Sequence, residues 1–190
     1  MGSRARFEGC PQVGYLPSGG LVTMGIEVPP RGTRGAGAPA FLNRLFGPLM
    51  RLQIARYRRA KSVEQPTMMG FPAVVLTTIG ARSGQRRTVP LGGFPDGPDA
   101  WLVVASAGGG ARHPGWFLNM ARHPDQVWIE VGNRKLRVEG ESLRGQEREA
   151  ALARIAEISP RYGQYQTKTD REIPIVRLRP APPESSPASS

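Results

Sequence analysis

The chain has 190 residues, with 26 lysines and arginines against 15 aspartates and glutamates and a formal net charge of +11. That length suits one domain with a core and a tail. No apolar run reaches the roughly 18 residues that a membrane-spanning helix needs, and Gly, Pro and charge interrupt the N-terminus too early for a signal peptide, so a cytoplasmic protein is expected.

Residues 1–38 are rich in Gly, Pro and Arg, keep no sustained period and are expected to be disordered, with Met24 an alternative start to Met1. Over residues 39–61, Phe41, Leu42, Leu45, Phe46, Leu49, Leu52 and Ile54 recur near helical spacing among Arg44, Arg51, Arg56, Arg58, Arg59 and Lys61. This predicts a basic amphipathic helix, packed on the core or resting on an anionic membrane at the inner face of the plasma membrane. From residue 62 to 180 the pattern is that of a folded domain. Short β-branched runs at 73–79, 87–92, 100–106, 126–131, 134–139 and 173–178 predict six strands. The turn signals Pro95-Asp96-Gly97-Pro98 and Gly132-Asn133 join two pairs of them into hairpins. Short helices are predicted from Pro114 and over 147–158, the second with Leu152, Ile155 and Ala156 inward. A polar, aromatic loop is predicted over 162–171, in which Asp170 and Arg171 form a local ion pair. Residues 181–190 are expected to be a disordered tail. Hairpins with few helices argue against a Rossmann sheet and suit a mainly β fold with helices, a small antiparallel barrel.

Cys10 is the only cysteine, so no intrachain disulfide forms. His113 and His123, without cysteines near them, fall short of the usual four zinc ligands, and no metal is expected. Lysine occurs only at Lys61, Lys135 and Lys168, so the positive charge is nearly all arginine. The codon preference of a GC-rich genome is one reading of it and an anionic partner is the other, to be decided by where the arginines cluster. A phosphorylated cofactor, an acidic lipid surface or nucleic acid would account for local clusters.

Four segments carry candidate chemistry. In Thr77-Thr78-Ile79-Gly80-Ala81-Arg82-Ser83-Gly84-Gln85-Arg86-Arg87, a strand ends in hydroxyls and two glycines bracket a loop followed by arginines. Turned backbone amides and forked guanidinium donors suit a phosphate, although the P-loop spacing is absent and a plain basic β-turn reads the same way. Ala105-Ser106-Ala107-Gly108-Gly109-Gly110 again ends a strand in a hydroxyl and glycines, which lets a planar ligand approach the backbone. His113-Pro114-Gly115-Trp116-Phe117-Leu118-Asn119 opens a helix with Pro and leaves Asn119 as its odd polar group. Tyr162 and Tyr165 stand in the last segment, with apolar bodies and polar tips suited to closing over a ligand.

Taken in order, TTIGARSGQRRTVPL, ASAGG, HPGWFLN and YGQYQTKTDREIPIV resemble the deazaflavin-dependent nitroreductase family of actinobacteria, the F420-binding split β-barrel oxidoreductases, over roughly residues 40–180. The resemblance implies a split barrel of the flavin-binding type. It implies that Arg82, Ser83, Gln85, Arg86 and Arg87 hold the anionic tail of coenzyme F420, beside Thr77 and Thr78. Ser106, Gly108 and Gly109 would face the deazaflavin ring, and Pro114, Trp116 and Asn119 would lie over it. Tyr162 and Tyr165 would line the acceptor pocket, and Ser159 stands where relatives that activate nitroimidazoles carry a further Tyr. Gly115 replaces a bulky residue and Ala107 a Lys found in some relatives. The implied activity is hydride transfer from reduced F420 to a quinone, enone or nitro compound. Tyr162, Ser106 or solvent would then supply the proton, because the cofactor carries the redox chemistry. Alternatives are an F420 carrier without turnover or an FMN- or haem-binding barrel. Nucleic acid is not expected, because aromatics do not interleave with the basic run. Oligomeric state stays open.

Overall fold

Short aliphatic runs joined by tight turns close on themselves in the computed structural model, which describes residues 14–15, 21–23, 25–36, 47–59, 65–68 and 70–182. Strands β1 (Gly14–Tyr15), β2 (Leu21–Thr23) and β3 (Ile26–Val28) form a small antiparallel sheet, and helix α1 (Gly47–Arg59) follows. Then come β4 (Thr67–Met68), β5 (Phe71–Ile79), β6 (Arg86–Pro95) and β7 (Trp101–Val104). Helix α2 (Gly115–Arg122), strands β8 (Val127–Val131) and β9 (Arg134–Ser142), helices α3 (Gly145–Ile158) and α4 (Arg161–Thr167), and β10 (Ile175–Pro180) complete the order. The sheet runs β4-β5-β6-β7-β10-β9-β8, and β8 pairs back onto β5. The result is a closed antiparallel barrel of six strands with β4 appended, the mainly β architecture that the hairpin pattern predicts.

Successive side chains of a strand point to opposite faces, and that alternation sorts the core. Val74 and Leu76 of β5, Trp101 and Val103 of β7, and Val176 and Leu178 of β10 belong to one cluster, which α2 closes with Trp116, Phe117 and Met120. The intervening Leu102 and Val104, with Ile175, belong to a second cluster under α3 and α4, with Ala151, Ile155 and Tyr162. Ala73 and Val75 of β5 face outward to a third, completed by Ile54 and Tyr57 of α1. Strand β6 changes neighbour midway, pairing with β5 through Gly92 and with β7 from Gly93. Both glycines are required there: a Cβ on Gly93 would collide with Val74, and one on Gly92 with the Tyr162 hydroxyl.

Three expectations are corrected. Residues 25–36 are ordered against the barrel rather than disordered. Ile26 is fully buried, Glu27 N–H donates to Ser142 Oγ (3.0 Å), and Asp170 accepts from the backbone N–H groups of Thr33 and Arg34 (3.0 Å each). A segment rich in Gly and Pro has little propensity of its own, and tertiary contacts order it. Residues 161–167 form a helix rather than a loop, because Tyr162 and Tyr165, three apart, share a face that packs inward. Asp170 and Arg171 do not pair: Asp170 faces residues 33–34, and Arg171 turns into the molecule. Of the predicted helix over 39–61, residues 47–59 are described, and 39–46 and 60–61 lie outside the described residues. Within it Leu49 and Leu52 are each 49% exposed, while Ile54 and Tyr57 are buried. The Tyr57 hydroxyl lies between the carbonyls of Ala73 (3.2 Å) and Glu130 (3.0 Å) and accepts from Gly132 N–H, and Arg58 clasps Glu130 through two bonds of 2.8 and 2.6 Å. Of the predicted tail, residues 181–182 are described, and Ala181 N–H donates to Arg137.

Candidate functional site

At the end of β5 the chain turns on Gly80 and Gly84. Gly80 N–H donates to the Gln85 carbonyl and Gly84 N–H to the Gly80 carbonyl, both at 2.8 Å, and Gly84 sits at φ +64°, where a side chain would be strained. Asn119 of α2 pins this loop. Its Oδ1 accepts from Ala81 N–H (2.9 Å) and its Nδ2 donates to Thr78 Oγ1 (3.1 Å). Thr77 bonds Thr88 across the hairpin (3.0 Å). Outside this clamp Arg82, Ser83, Gln85, Arg86 and Arg87 are exposed. Arg86 lies 4.9 Å over the Trp128 ring. Arg82 and Arg87 have no carboxylate partner among the described residues. Arg177 shows the contrast, since it is held by Asp96 and Glu147. The backbone of this loop is thus satisfied internally, while Arg82 and Arg87 project from it into solvent.

A second loop follows β7. Residues Ala107, Gly108 and Gly109 run through positive φ (+47°, +66° and +83°), a conformation costly for Ala107 and sustained only when its surroundings enforce it. Arg171 enforces it. It is 3% exposed, and each of its N–H donors is matched. Nε donates to the Gly110 carbonyl (2.8 Å), one terminal nitrogen to the Ala105 and Ser106 carbonyls (2.9 Å each), and the other to the Glu172 carbonyl and to His113 Nδ1 (3.3 Å each). His113 Nε2 lies 2.8 Å from the Pro29 carbonyl. A carbonyl only accepts, so Nε2 carries the proton and Nδ1 is the acceptor. Burial first, and then the Arg171 charge among lesser causes, hold the His113 pKa below its ordinary value.

Between the barrel and α1 lies a cleft of about 260 Å³. One wall is Ser106, Ala107 and Gly108 of the second loop with Pro114 and Trp116 of α2. Another is Phe71, Leu91, Gly92 and Tyr162. Met50 and Gln53 of α1 form the third. The hydroxyls of Ser106 and Tyr162 have no hydrogen-bond partner among the described residues. Burial, with smaller help from Tyr165, pushes the Tyr162 phenol up to about 12, so it stays protonated and donates. Helix α2 links the two regions, with Trp116 in the cleft and Asn119, less than one turn on, at the arginine loop. A larger recess, about 490 Å³, is lined by Arg137, Glu139, Glu141 and Arg179 among others. It holds none of the motif residues, and its Arg179 and Glu141 already pair at 2.5 Å.

The structure thus gathers Ser106, Gly108, Pro114, Trp116 and Tyr162 in one cleft. It sets Thr78 and Asn119 as the clamp behind the arginine loop, with the bonded Thr77 and Thr88 beside it. Gly109 supports the second loop from behind, facing Lys168 and Tyr165. Tyr165 packs edge-on against Tyr162 (5.4 Å) and does not line the cleft. Ser159 is buried between α3 and α4, where Arg161 donates to its hydroxyl (3.3 Å). Gly115 is exposed with open space around it. The sequence reading did not identify Met50, Gln53, His113 or Arg171. The available signal for Gln53 was a polar residue in the helical row Met50, Gln53, Ile54, Tyr57.

A family model described as F420H(2)-dependent quinone reductase matches residues 49–180. The F420H(2)-dependent quinone reductase Rv1261c of Mycobacterium tuberculosis (strain H37Rv) is 38% identical over 136 residues, 68% of this chain and 89% of that protein. The putative F420H(2)-dependent quinone reductase Mb1292c of Mycobacterium bovis matches to the same extent. Among solved structures, an F420-H2 dependent reductase (FDR-A) is similar with a TM-score of 0.52 at 36% identity, over 60% of this chain and 99% of that one.

Arg171→Met leaves the Ala105 and Gly110 carbonyls without this donor, while Ser106 keeps the Gly109 N–H, and should destabilise the fold by about 2 kcal/mol or more in urea denaturation, since each unsatisfied buried group costs roughly 1–3 kcal/mol. Arg171→Lys should rescue it only in part, because an ammonium has three donors in place of the fork. The raised Tyr162 pKa predicts a pH effect as well. Stability owed to the neutral phenol is fully present below the unfolded value of about 10 and is lost as pH rises toward about 12. Wild type should therefore lose stability relative to Tyr162→Phe only above about pH 10, measured by denaturation midpoints across the alkaline range.

Proposed function

This chain belongs to the F420H(2)-dependent quinone reductase family, and on that footing we propose that it oxidises reduced F420 with a quinone as acceptor. The observation that carries the reading is the continuity, along α2, of an apolar cleft with a loop whose Arg82 and Arg87 have no carboxylate partner among the described residues. A planar ring joined to a long anionic tail needs that combination, and the residues present fit it. Arg82 and Arg87, aided by Arg86, Ser83 and Gln85, hold the phosphate and glutamate tail. Thr78 and Asn119 keep the loop in place rather than touching the tail first. Gly108, Pro114 and Trp116 bracket the ring, and the Arg171 charge behind Ser106 favours electron density at that edge.

The reduced deazaflavin supplies the hydride, and with one proton the quinone becomes a hydroquinone. The chain's part is to orient the acceptor, exclude water and steady the oxygen that gains charge. The Tyr162 and Ser106 hydroxyls, both open to the cleft, donate to that oxygen. A phenol near pKa 12 is a strong reason to read Tyr162 as a hydrogen-bond donor, with solvent as the net proton source at neutral pH. Tyr165 steadies Tyr162 from behind. Enones and nitro compounds, which also present an oxygen that gains electron density, fall within the same chemistry.

We further propose that α1 brings the cytoplasmic protein to an anionic membrane surface. Leu49 and Leu52 stand exposed beside Arg51, Arg56 and Arg59, while Ile54 and Tyr57 dock the helix to the barrel. Apolar tips among arginines suit the interface of an acidic leaflet.

The primary test is oxidation of reduced F420 by menadione, followed through the cofactor's visible absorbance. Turnover is expected, and tight F420 binding without turnover on any quinone would indicate a carrier. Replacing Arg82 and Arg87 with Ala should weaken F420 binding well over tenfold, at about 1.5–3 kcal/mol per charge-assisted bond, and flatten its salt dependence. Unchanged affinity would remove the loop from the site. For the surface reading, vesicles containing phosphatidylserine should recruit the protein and salt should release it, with Leu49→Ser and Leu52→Ser together reducing recruitment. Equal partition onto neutral vesicles would leave α1 a packing element alone.

A further inference from the structure

One face of α1 carries Met50, Gln53, Ile54 and Tyr57 at helical spacing, from the exposed Met50 to the buried Ile54 and Tyr57. Its C-terminal half behaves as a packing face should, with Ile54 and Tyr57 buried on Ala73 and Val75. Its N-terminal half passes over the cleft, and there the row carries a carboxamide. Gln53 is half-buried, lines the cleft, and has no hydrogen-bond partner among the described residues. A partly buried amide that bonds nothing gives up favourable interactions with water, and an apolar residue at that position would pack better. Elsewhere on this face the chain provides partners: Gln65 donates to the carbonyls of Ala73 (3.1 Å) and Gly93 (2.6 Å).

The cleft therefore presents polar groups from two sides. Tyr162 and Ser106 reach in from the barrel and its second loop, and Gln53 from the helix that covers them. The intervening lining, Phe71, Leu91, Val104 and Trp116, is apolar. We propose that Gln53 is the specificity-determining residue for the acceptor, its amide donating to a second carbonyl oxygen at the end of the molecule remote from Tyr162, so that the site selects acceptors with two opposed carbonyls over those with one. The inference rests on the reductase reading and names the acceptor class within it. A quinone has an oxygen at each end of its ring and meets both walls; an enone has one oxygen and leaves Gln53 unpaired. The α1 docking contacts hold Gln53 at a fixed reach. Tyr57, one turn on, is wedged between two carbonyls, and Arg58 is clasped by Glu130.

The test compares wild type with Gln53→Met, which keeps length and helix propensity, and Gln53→Glu, which offers only acceptors to a carbonyl oxygen. Binding of 1,4-naphthoquinone and of 2-cyclohexenone is read by quenching of tryptophan fluorescence, since Trp116 lines the cleft, and KM and kcat are read in turnover with reduced F420. Gln53→Met should weaken naphthoquinone binding and raise its KM roughly three- to tenfold, the range of one hydrogen bond, and Gln53→Glu at least as far. Cyclohexenone binding, F420 affinity and circular dichroism should stay as in wild type. Quinone affinity unmoved in both variants, or equal losses for both acceptors, would overturn the assignment. Because quenching reports binding without turnover, a wild type that binds naphthoquinone but never oxidises reduced F420 would refute the reductase reading separately.

Discussion

The cleft depends on one buried guanidinium. Arg171 sits where no carboxylate reaches it among the described residues, and burying a cation without a counter-ion is costly unless every donor is matched. All its donors are matched, three of the acceptors being carbonyls of the loop 105–110. That loop passes through left-handed backbone at a non-glycine residue, a conformation with no stability of its own. The arginine supplies what the loop lacks, and the loop supplies what the arginine needs. Through His113 the same group reaches Pro29, so the N-terminal segment and the loop share one anchor. The arrangement also leaves a positive charge directly behind Ser106, at the edge of the cleft.

Close packing at the barrel corner sets the other wall. Strand β6 can trade one neighbour for another only where side chains vanish, and Gly92 and Gly93 vanish side by side. The space above Gly92 is taken by the Tyr162 hydroxyl, and the ring is held edge-on by Phe94 (5.2 Å) and Tyr165 (5.4 Å). Tyr162 therefore has a fixed position, a raised pKa and a hydroxyl with no hydrogen-bond partner among the described residues. Rigid first contacts supported by a packed shell are what orientation of a small acceptor requires.

The arginines divide by whether a carboxylate lies within reach. Arg177, Arg154 and Arg58 are absorbed by Asp96, Glu147 and Glu130. Such pairs steady the outer face of the barrel and add little when exposed. Arg82 and Arg87 stand on a loop whose own backbone is satisfied and which Asn119 ties to α2. Their charge meets no carboxylate among the described residues, unlike that of Arg177, Arg154 and Arg58.

Strand alternation, the turn at Gly132-Asn133 and the glycine-bracketed arginine loop were legible in the sequence, because each is a local consequence of side-chain period or backbone freedom. Together they determined a small antiparallel barrel and the position of its arginine loop, and the order of the motifs pointed to the family and its cofactor. What depends on distant partners was not legible. Residues 25–36 carry no periodic signal and are ordered by Asp170 and by burial of Ile26. Arg171 looked like the partner of the adjacent Asp170, yet five acceptors gathered from distant and neighbouring segments outweigh one exposed carboxylate. The α4 segment is short and carries a central Gly163, so it depends on the packing of Tyr162 and Tyr165 to be helical. The face of α1 that meets the barrel was chosen by Tyr57 finding buried carbonyls, not by the greater apolar count along Leu49 and Leu52. That choice, made by tertiary hydrogen bonds, turns Gln53 into the cleft.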